Sequence, residues 1–274
     1  MPYSEKILIS FAVCSEAGLI RKNNEDNFYY DGLILDAPDK NKNFFTNSVT
    51  EIPCIFAVCD GMSGESCGEL ASMTAVNILS EHANKIKFAK SNKLIDEAVQ
   101  DFISDANKKI CKIMRSRSFR MGCTLALIVI SENFIHAYNI GDSRIYKFQD
   151  KKLFQISEDH TIAAQKIKMG LINSENARHD KTRHTLTRCL GVFEDEMILT
   201  PYIAPVFKAD ENLKLLICSD GLTEMLTDEE IKNIMLKNQN TSPASTVNEL
   251  IEHALNNGGQ DNVTCIVINF CEEK

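Results

Sequence analysis

Residues 124–149 read TLALIVISENFIHAYNIGDSRIYKFQ, and this stretch holds three closely spaced apolar runs. The runs 124–130, 134–140 and 144–149 are rich in β-branched and aromatic residues, which predicts three strands. The polar segment 131–133 between the first two is typical of a hairpin turn. Three strands joined by such short connections do not fit a strict alternation of strands and helices.

Two long segments precede this stretch and carry apolar residues at helical spacing. They cover 67–88 and 94–114, and they predict two adjacent helices. The remaining predicted elements are strands at 7–13, 54–59, 213–219 and 262–270, and a last helix at 244–255. Strand clusters with segregated helices indicate a layered α+β arrangement, in which sheets are flanked by helices.

The organisation of the chain is simple. Residues 36–53 are polar and rich in Pro, Asp and Asn, which predicts a surface loop. We find no internal repeat, no low-complexity tract and no linker in the sequence, so we expect residues 1–274 to form a single domain.

Composition excludes several classes of protein. The formal net charge of −8 argues against a nucleic-acid surface, which would normally carry clustered Lys and Arg. Apolar stretches such as 125–130 are far shorter than the ~20 residues of a membrane helix. The start of the chain has no secretory signal, and the ten cysteines form no CxxC pair. We therefore expect reduced thiols in a cytoplasmic monomer that binds neither nucleic acid nor membrane.

Acidic residues stand where apolar runs end or begin. Asp60 closes IFAVCDG, Asp220 closes LLICSDG and Asp261 opens DNVTCIVINF, while Asp142 lies in NIGDSR. A carboxylate beside such a run is costly to bury unless a cation compensates its charge. Oxygen ligands suit Mg²⁺ or Mn²⁺ better than zinc. An Asp-Gly pair is also common in turns, so the alternative for Asp60-Gly61 and for Asp220-Gly221 is an ordinary turn.

A centre with two such cations would suit the hydrolysis of phosphate monoesters. The substrate dianion repels anionic nucleophiles, and two cations that share a carboxylate can neutralise it and activate a water. The fork of Arg21 could hold two phosphate oxygens, although a lone arginine is more often an exposed surface residue.

The ordered motifs resemble those of the metal-dependent serine/threonine protein phosphatases of type 2C. They are RKNNED, FAVCDGMSGE, MGCTLAL, NIGDSRIY, ISEDHT, RHTLTRCLG, LLICSDGL and GGQDNVT, and they run through nearly the whole chain. The version here is similar to the bacterial stand-alone catalytic domain. The resemblance implies a four-layer αββα sandwich, in which two antiparallel sheets are flanked by helices.

The resemblance also implies roles for the acidic residues at a centre of two Mn²⁺ or Mg²⁺ ions. Asp60 would bridge the two ions, and Asp220 with Asp261 would complete the shell of one. Glu25 and the carbonyl of Gly61 would serve the other.

Further positions are matched by the same motifs. Asp26 would orient a water on the metal, Arg21 would hold the substrate phosphate, and Asp142 with Asp220 would bind a third ion. The segment 158–190 resembles the mobile flap beside the site, and its part 158–172 is expected to be helical. From the residues alone, Ile167, Met169 and Leu171 in the flap are expected to be packing residues.

Two positions depart from the pattern of the family. Met62 stands where some relatives have a His proposed as general acid, and a thioether cannot donate a proton. His160 could substitute for it, although a local structural anchor is the simpler interpretation. Ser63 replaces a glycine of many bacterial relatives, which indicates a different backbone angle rather than a lost metal ligand.

Three functions compete. The first is hydrolysis of phosphoserine and phosphothreonine in proteins, with phosphoproteins and a cognate serine/threonine kinase as partners. The second is a non-catalytic, phosphoprotein-binding regulatory module of the same fold, which would be expected to have lost at least one core carboxylate. The third is another two-metal enzyme such as a nuclease, against which the net charge of −8 and the lack of a basic groove argue.

Overall fold

The structure is a computed structural model, and it describes residues 7–35, 44–63, 67–117 and 119–272. Its strands are β1 (Ile7–Glu16), β2 (Asp26–Tyr30), β3 (Leu33–Ile34), β4 (Phe44–Thr50), β5 (Cys54–Ser63), β6 (Met121–Cys123), β7 (Leu125–Ser131), β8 (Phe134–Ile140), β9 (Arg144–Gln149), β10 (Lys152–Gln155), β11 (Tyr202–Ile203), β12 (Phe207–Lys208), β13 (Lys214–Cys218) and β14 (Val263–Glu272). Its helices are α1 (Gly68–Lys87), α2 (Asn92–Arg117), α3 (Ile162–Lys168), α4 (Ser174–Ala177), α5 (Asp220–Met225), α6 (Asp228–Lys237) and α7 (Pro243–Asn256).

The strands form two antiparallel sheets. The six-stranded sheet has the order β10-β9-β13-β14-β1-β4. The eight-stranded sheet has the order β11-β8-β7-β5-β2-β3, with β12 paired to β8 and β6 paired to β5. The sequential strands β7 and β8 pair from Leu125 with Ile140 to Ser131 with Phe134, which confirms the predicted hairpin.

Alternating side chains of the sheets build the layers. In β7, Leu125, Leu127 and Val129 pack with α1 and α2 in one apolar core. The intervening residues Ala126 and Ile128 pack between the two sheets in a second core. A strand that is buried on both faces reads as a continuous apolar run, and β7 does.

A third apolar core lies on the outer face of the six-stranded sheet. There, Leu216 and Val267 of the sheet pack against Leu222 of α5, Ile231 of α6 and Leu250 of α7. The order of layers is thus helices, sheet, sheet, helices. The predicted α+β fold with a four-layer αββα sandwich is confirmed.

The predicted loop at 36–53 is partly wrong. Residues 36–43 lie outside the described residues, but Phe44–Thr50 form β4, which pairs with β1 at the edge of the six-stranded sheet. Val49 of this strand is 59% exposed. An edge strand with an exposed face needs few apolar residues, so its sequence resembles that of a loop.

The segment 158–190, named the flap here, contains only the short helices α3 and α4 and two isolated bridges. The bridges pair Thr161 with Leu186 and Cys123 with Leu190. The expectation that Met169 and Leu171 are packing residues is wrong, because their side chains are 71% and 68% exposed. No helix among the described residues is long and apolar enough to cross a membrane.

Candidate metal centre

The carboxylates predicted to bind metal come from the ends of strands of both sheets. Asp26 and Asp60 are direct partners in the register of β2 with β5. Asp220 begins α5 two residues after β13, and Asp261 lies two residues before β14, the neighbour of β13. The structure therefore brings Asp26, Asp60, Asp220 and Asp261 to one place, where they are joined by Glu25 and Asp142. These six residues are named the carboxylate cluster.

Glycines allow the backbone segments that carry the cluster to approach closely. A Cβ atom at Gly221 would overlap with the carbonyl oxygen of Asn262, and one at Gly61 would overlap with the carbonyl oxygen of Gly68. The first contact holds the segment of Asp220 against that of Asp261. The second contact packs the start of α1 against the end of β5. Both contacts are possible because Gly221 and Gly61 have no side chain.

A hydroxyl links the cluster across the two sheets. Ser219 donates a hydrogen bond of 2.7 Å from Oγ to Oδ2 of the buried Asp26, and its Oγ accepts one of 3.0 Å from the backbone amide of Thr264. Ser219 follows β13 of the six-stranded sheet, whereas Asp26 belongs to β2 of the eight-stranded sheet. The position of Asp26 is thus fixed from the opposite sheet.

A second hydroxyl joins Asp60 to the turn of Asp142. The backbone amide of Asp60 donates to Thr124 Oγ1 at 2.9 Å, and Thr124 N donates to the carbonyl oxygen of Asp60 at 2.8 Å. Thr124 Oγ1 also lies 2.6 Å from Oγ of Ser143, the residue after Asp142. Asp60 and Asp142 are therefore held by one threonine.

Asn262 and the start of α1 position Glu25. The amide of Glu25 donates to Asn262 Oδ1 at 2.8 Å, and the carbonyl oxygen of Glu25 accepts a bond of 2.6 Å from Ser72 of α1. A Cβ at Gly68 would lie 2.6 Å from Glu25 Oε2, so the Glu25 side chain fills the space beside that glycine. The amide of Gly61 donates to the Glu25 carbonyl oxygen at 3.2 Å, which places Gly61 in the same corner.

The acidic residues raise one another's proton affinity. Burial, together with the charges of Asp220 and Asp261, raises the pKa of Asp26 to about 7 despite hydrogen bonds to its carboxylate. Burial, with the charge of Asp26 as the largest neighbouring contribution, raises the pKa of Asp60 well above its ordinary value. Burial and the charge of Asp220 likewise raise the pKa of Asp142. The neighbouring protein groups therefore do not compensate the negative charge of the cluster.

The donor atoms fit hard divalent cations. Oδ1 of Asp26 and Oδ1 of Asp220 are buried and have no hydrogen-bond partner among the described residues. Unpaired buried carboxylate oxygens are costly, and a cation is the partner that would satisfy them. All side chains of the cluster offer oxygen, which suits Mg²⁺ and Mn²⁺.

Arg21 lies at the rim of the cluster, in the turn between β1 and β2. Its Nη2 donates to Asp261 Oδ2 at 2.7 Å, and its side chain is 54% exposed. The contact places a guanidinium next to a predicted metal ligand, with much of the fork still open to solvent.

The departures at positions 62 and 63 leave the backbone of β5 intact. Met62 pairs with Gly122 and Ser63 pairs with Met121 in the register of β5 with β6. Ser63 therefore continues the paired strand at this position.

His160 is an anchor of the flap. Its backbone amide donates to the carbonyl oxygen of Gly141 at 2.9 Å, and its Nδ1 accepts the amide of Gly141 at 3.1 Å. The ring is 4% exposed, and burial with the charge of Arg188 lowers its pKa to about 4. These contacts fit the structural interpretation of His160 better than proton donation to a substrate.

One further titratable group, to which the sequence lends little weight, lies beside the cluster. His184 of the flap lies with Nδ1 2.7 Å from Glu224 Oε1 and 3.7 Å from Asp220 Oδ2. The carboxylates of Asp220 and Glu224 raise the pKa of His184 to about 10. The spacing of Asp220 and Glu224, one helical turn apart, is visible in the sequence, but the approach of His184 depends on the tertiary fold.

Comparison with known proteins identifies similar chains. The family model described as protein phosphatase 2C matches residues 43–261. The serine/threonine phosphatase Stp of Listeria innocua is 30% identical over 93% of this chain and 93% of its own length. The serine/threonine protein phosphatase PstP of Mycobacterium tuberculosis is 30% identical over 97% of this chain, which corresponds to 46% of that relative.

A solved structure agrees with the fold. The catalytic domain of the serine threonine protein phosphatase PstP, in complex with two manganese ions, superposes with a TM-score of 0.76 and 28% identity. The match covers 97% of this chain and all of that one.

Proposed function

Since the chain belongs to the protein phosphatase 2C family, we propose that it hydrolyses phosphoserine and phosphothreonine in proteins with the help of two divalent cations. The observation that carries the proposal is the convergence of six carboxylates, two of which have buried oxygens without a partner among the described residues. The similarity to Stp and to the manganese complex of PstP supports the same conclusion.

The residues would hold the two ions as follows. Asp60, which ends the apolar run of β5, would contact both ions. Asp220 and Asp261 would hold one ion, and Glu25 with the carbonyl oxygen of Gly61 would hold the other. When bound, Mn²⁺ or Mg²⁺ supplies neutralisation of the phosphate charge and a water that ionises near neutral pH.

Asp26 and Arg21 would act on the water and on the substrate. The bond from Ser219 fixes Oδ2 of Asp26 and leaves Oδ1 free to accept a proton or orient a water. Arg21 would turn from Asp261 to two oxygens of the phosphate, because its planar fork matches them and its side chain is exposed.

The access route suits a protein segment. A cavity of about 1060 Å³ lies between the flap and the helices α5 and α6, and its lining includes Asp142 and Asp220 of the cluster. That volume is slightly above the roughly 300–1,000 Å³ of most small-molecule sites, so the cleft has room for a peptide segment. Phosphoproteins, such as targets of a serine/threonine kinase, are therefore the proposed substrates.

The test is hydrolysis of phosphoserine and phosphothreonine peptides by the purified protein with Mn²⁺, with Mg²⁺ and with excess EDTA. We expect turnover with either metal and none with EDTA, and recovery when metal is restored. Full turnover after exhaustive chelation would contradict the metal assignment. Metal binding without turnover on any phosphopeptide or aryl phosphate would favour the non-catalytic alternative, which the retained carboxylates do not favour.

A further inference from the structure

Two large apolar side chains are exposed to solvent beside Arg21. Leu19 and Ile20, in the turn between β1 and β2, are 64% and 68% exposed. We propose that they contact an apolar residue next to the phosphoresidue of the substrate, so that the protein selects phosphoserine and phosphothreonine sites with an apolar neighbour. The inference rests on the proposed function, because it requires the phosphate to be held at Arg21 and the carboxylate cluster.

The turn that carries these side chains is fixed at both ends. Nδ2 of Asn262 donates hydrogen bonds to the carbonyl oxygens of Ala17 and Asn23 at 2.9 and 2.8 Å. Between them, the amide of Leu19 donates to the carbonyl oxygen of Gly259 at 2.8 Å. A surface that is ordered before binding loses little conformational entropy when a ligand covers it. The two apolar side chains are therefore presented on a prearranged backbone.

The turn lies directly against the segment that carries a predicted metal ligand. Gly18 has a φ of +78°, and a Cβ atom there would overlap with the carbonyl oxygen of Asp261. Arg21 contacts the Asp261 side chain at 2.7 Å. Consecutive Cα atoms are ~3.8 Å apart in the protein and in its substrate alike. When Arg21 holds the phosphate, the residue next to the phosphoresidue is therefore within reach of Ile20 or Leu19.

The apolar surface continues from Leu19 to the large cavity. A Cβ atom at Gly259 would lie 3.0 Å from Leu19 Cγ and 3.1 Å from Leu255 Cδ2, so these two side chains flank the glycine. Met225 Sδ lies 3.7 Å from the Cβ position of Gly258, and Met225 also lines the cavity of about 1060 Å³. The four apolar side chains are named the apolar strip: Leu19, Ile20, Met225 and Leu255.

The position of the strip identifies the substrate segment as its occupant. Single exposed apolar side chains are ordinary on protein surfaces, but this strip is continuous from Arg21 to the cavity beside the carboxylate cluster. Residues 258–259 are glycines, so no side chain projects between Met225 and Leu19. The strip contains no charged side chain, and a charged flanking residue would lose water there without compensation. An apolar flanking residue gains by the same loss of water.

Phosphothreonine peptides that differ only beside the phosphoresidue test this preference. The peptides carry Leu, Gly or Asp on the N-terminal side, on the C-terminal side or on both, and turnover is measured with Mn²⁺. We expect kcat/KM for the best Leu peptide to exceed that for Gly by about 3–10-fold, less than an enclosed apolar pocket gives, because the strip is open to solvent. The difference should lie mainly in KM, and Asp should be poorer than Gly.

Substitutions in the strip show whether it causes the preference. Leu19→Ser and Ile20→Ser should bring the ratio of kcat/KM between the Leu and Gly peptides toward one, whereas the conservative Leu19→Met and Ile20→Val should preserve it. The matched control is Ile198→Ser, an 87% exposed apolar position outside the strip, and it should keep the ratio. Inhibition by inorganic phosphate, measured in every variant, reports whether Arg21 keeps its position.

Cross-linking locates the contact. The probe is the preferred Leu peptide with a nonhydrolysable phosphonate in place of the phosphate and a diazirine on the flanking leucine. With Mn²⁺, we expect cross-links at residues 19–20 and at 255–259, and inorganic phosphate should suppress them. Cross-links confined to the flap would place the flanking residue elsewhere and overturn the inference.

The kinetic outcomes separate this inference from the proposed function. Turnover with equal kcat/KM for the Leu and Gly peptides, or a preference that survives in both serine variants, would overturn the inference alone. A changed oligomeric state in Leu19→Ser with the preference intact would assign the strip to contacts between copies of the chain. Absence of turnover on every peptide and on an aryl phosphate would overturn the proposed function and this inference with it.

Discussion

The carboxylate cluster and the flap lie side by side but are held in place by different means. Members of the cluster lie on or directly beside paired strands, as the register of Asp26 with Asp60 shows. The flap has two isolated bridges and depends on side-chain contacts such as that of Lys166 with Asp180 at 2.8 Å. The first region is rigid because the sheets are, and the second is ordered by a few polar groups. Substitutions in the cluster should therefore alter chemistry, and substitutions in the flap should alter order.

The largest effect is expected for Asp60→Asn. A neutral amide cannot bridge two cations, so turnover should fall by at least ~10²–10³-fold, as for the loss of one strong electrostatic contact in other enzymes. Without metal, Asp60→Asn should also be more stable than the unaltered protein at neutral pH. Burial and the neighbouring acids raise the pKa of Asp60, so its charge costs stability as the pH rises above the unfolded value.

Steady-state kinetics and thermal unfolding in EDTA check both parts of this prediction. Asp195→Asn, an exposed position in the described turn after Phe193, is the control and should change neither quantity. A turnover number of Asp60→Asn near that of the unaltered protein would indicate that Asp60 is an ordinary turn residue. A melting temperature of the variant in EDTA below that of the unaltered protein would show that the charge of Asp60 does not destabilise the metal-free cluster.

Arg21→Ala should weaken phosphate binding while the fold and the metal ions remain. Losing a bidentate, charge-assisted contact costs roughly 1.5–3 kcal/mol. The Arg21 contact with Asp261 also competes with a cation for that carboxylate, so Mn²⁺ affinity should stay the same or rise. Inhibition by inorganic phosphate is the measurement, with Lys22→Ala as the neighbouring cationic control. If inhibition by inorganic phosphate is unchanged in Arg21→Ala, Arg21 is an ordinary surface residue.

The anchor of the flap predicts a loss of stability in acid. Burial lowers the pKa of His160 to about 4 in the folded protein, below the ordinary histidine value of 6.5, so the unfolded chain binds the proton first as the pH falls. Stability should drop by about 2 kcal/mol from this group between pH 7 and 5. Urea unfolding at both pH values should show a smaller drop in His160→Gln, while His253→Gln, an exposed histidine, should match the unaltered protein.

Asp142→Ala probes the boundary between the two regions. If Asp142 helps to hold a third ion with Asp220, the variant should keep two ions, lose about tenfold in affinity for a further one and turn over more slowly. Phosphopeptides should be affected at least as much as an aryl phosphate, because the ion would lie beside the flap. Unaltered metal titration and turnover on both substrates would make Asp142 a structural residue.

The smallest effect is expected for Lys166→Gln in the flap. The substitution breaks the ion pair with Asp180, which is partly open to solvent. Exposed pairs contribute little to global stability, so the melting temperature should not change measurably. Tryptic cleavage of the flap should become slightly faster. A large fall in melting temperature would mean that the flap folds as one unit with the sheets.

The sequence predicted the cluster better than the contacts around it. Asp60, Asp220 and Asp261 could be found because each borders an apolar strand, and strand ends meet at the edge of a sheet. Arg21, Glu25 and Asp26 were placed by the family motif, since nothing local distinguishes them from surface charges.

Other features required the tertiary fold. The role of Ser219 depends on a bond across two sheets, and the approach of His184 to Glu224 joins residues 40 positions apart in the flap and α5. The strand β4 was mistaken for a loop because its exposed edge lacks the apolar signal. The prediction that Met169 and Leu171 are packing residues is wrong because apolar character alone does not show that a partner surface exists.

The position of β14 has a consequence for the order of folding during synthesis. This strand lies between β13 and β1 in the six-stranded sheet, and Ser15 bonds Thr264 across 249 residues. A nascent chain on the ribosome therefore lacks the middle of that sheet until residues 263–272 emerge, while α1, α2, β5, β7 and β8 can already pack together. Because Asp261 arrives with the same segment, we expect metal binding and catalysis to appear only once residues 261–272 have emerged, without a partly active precursor.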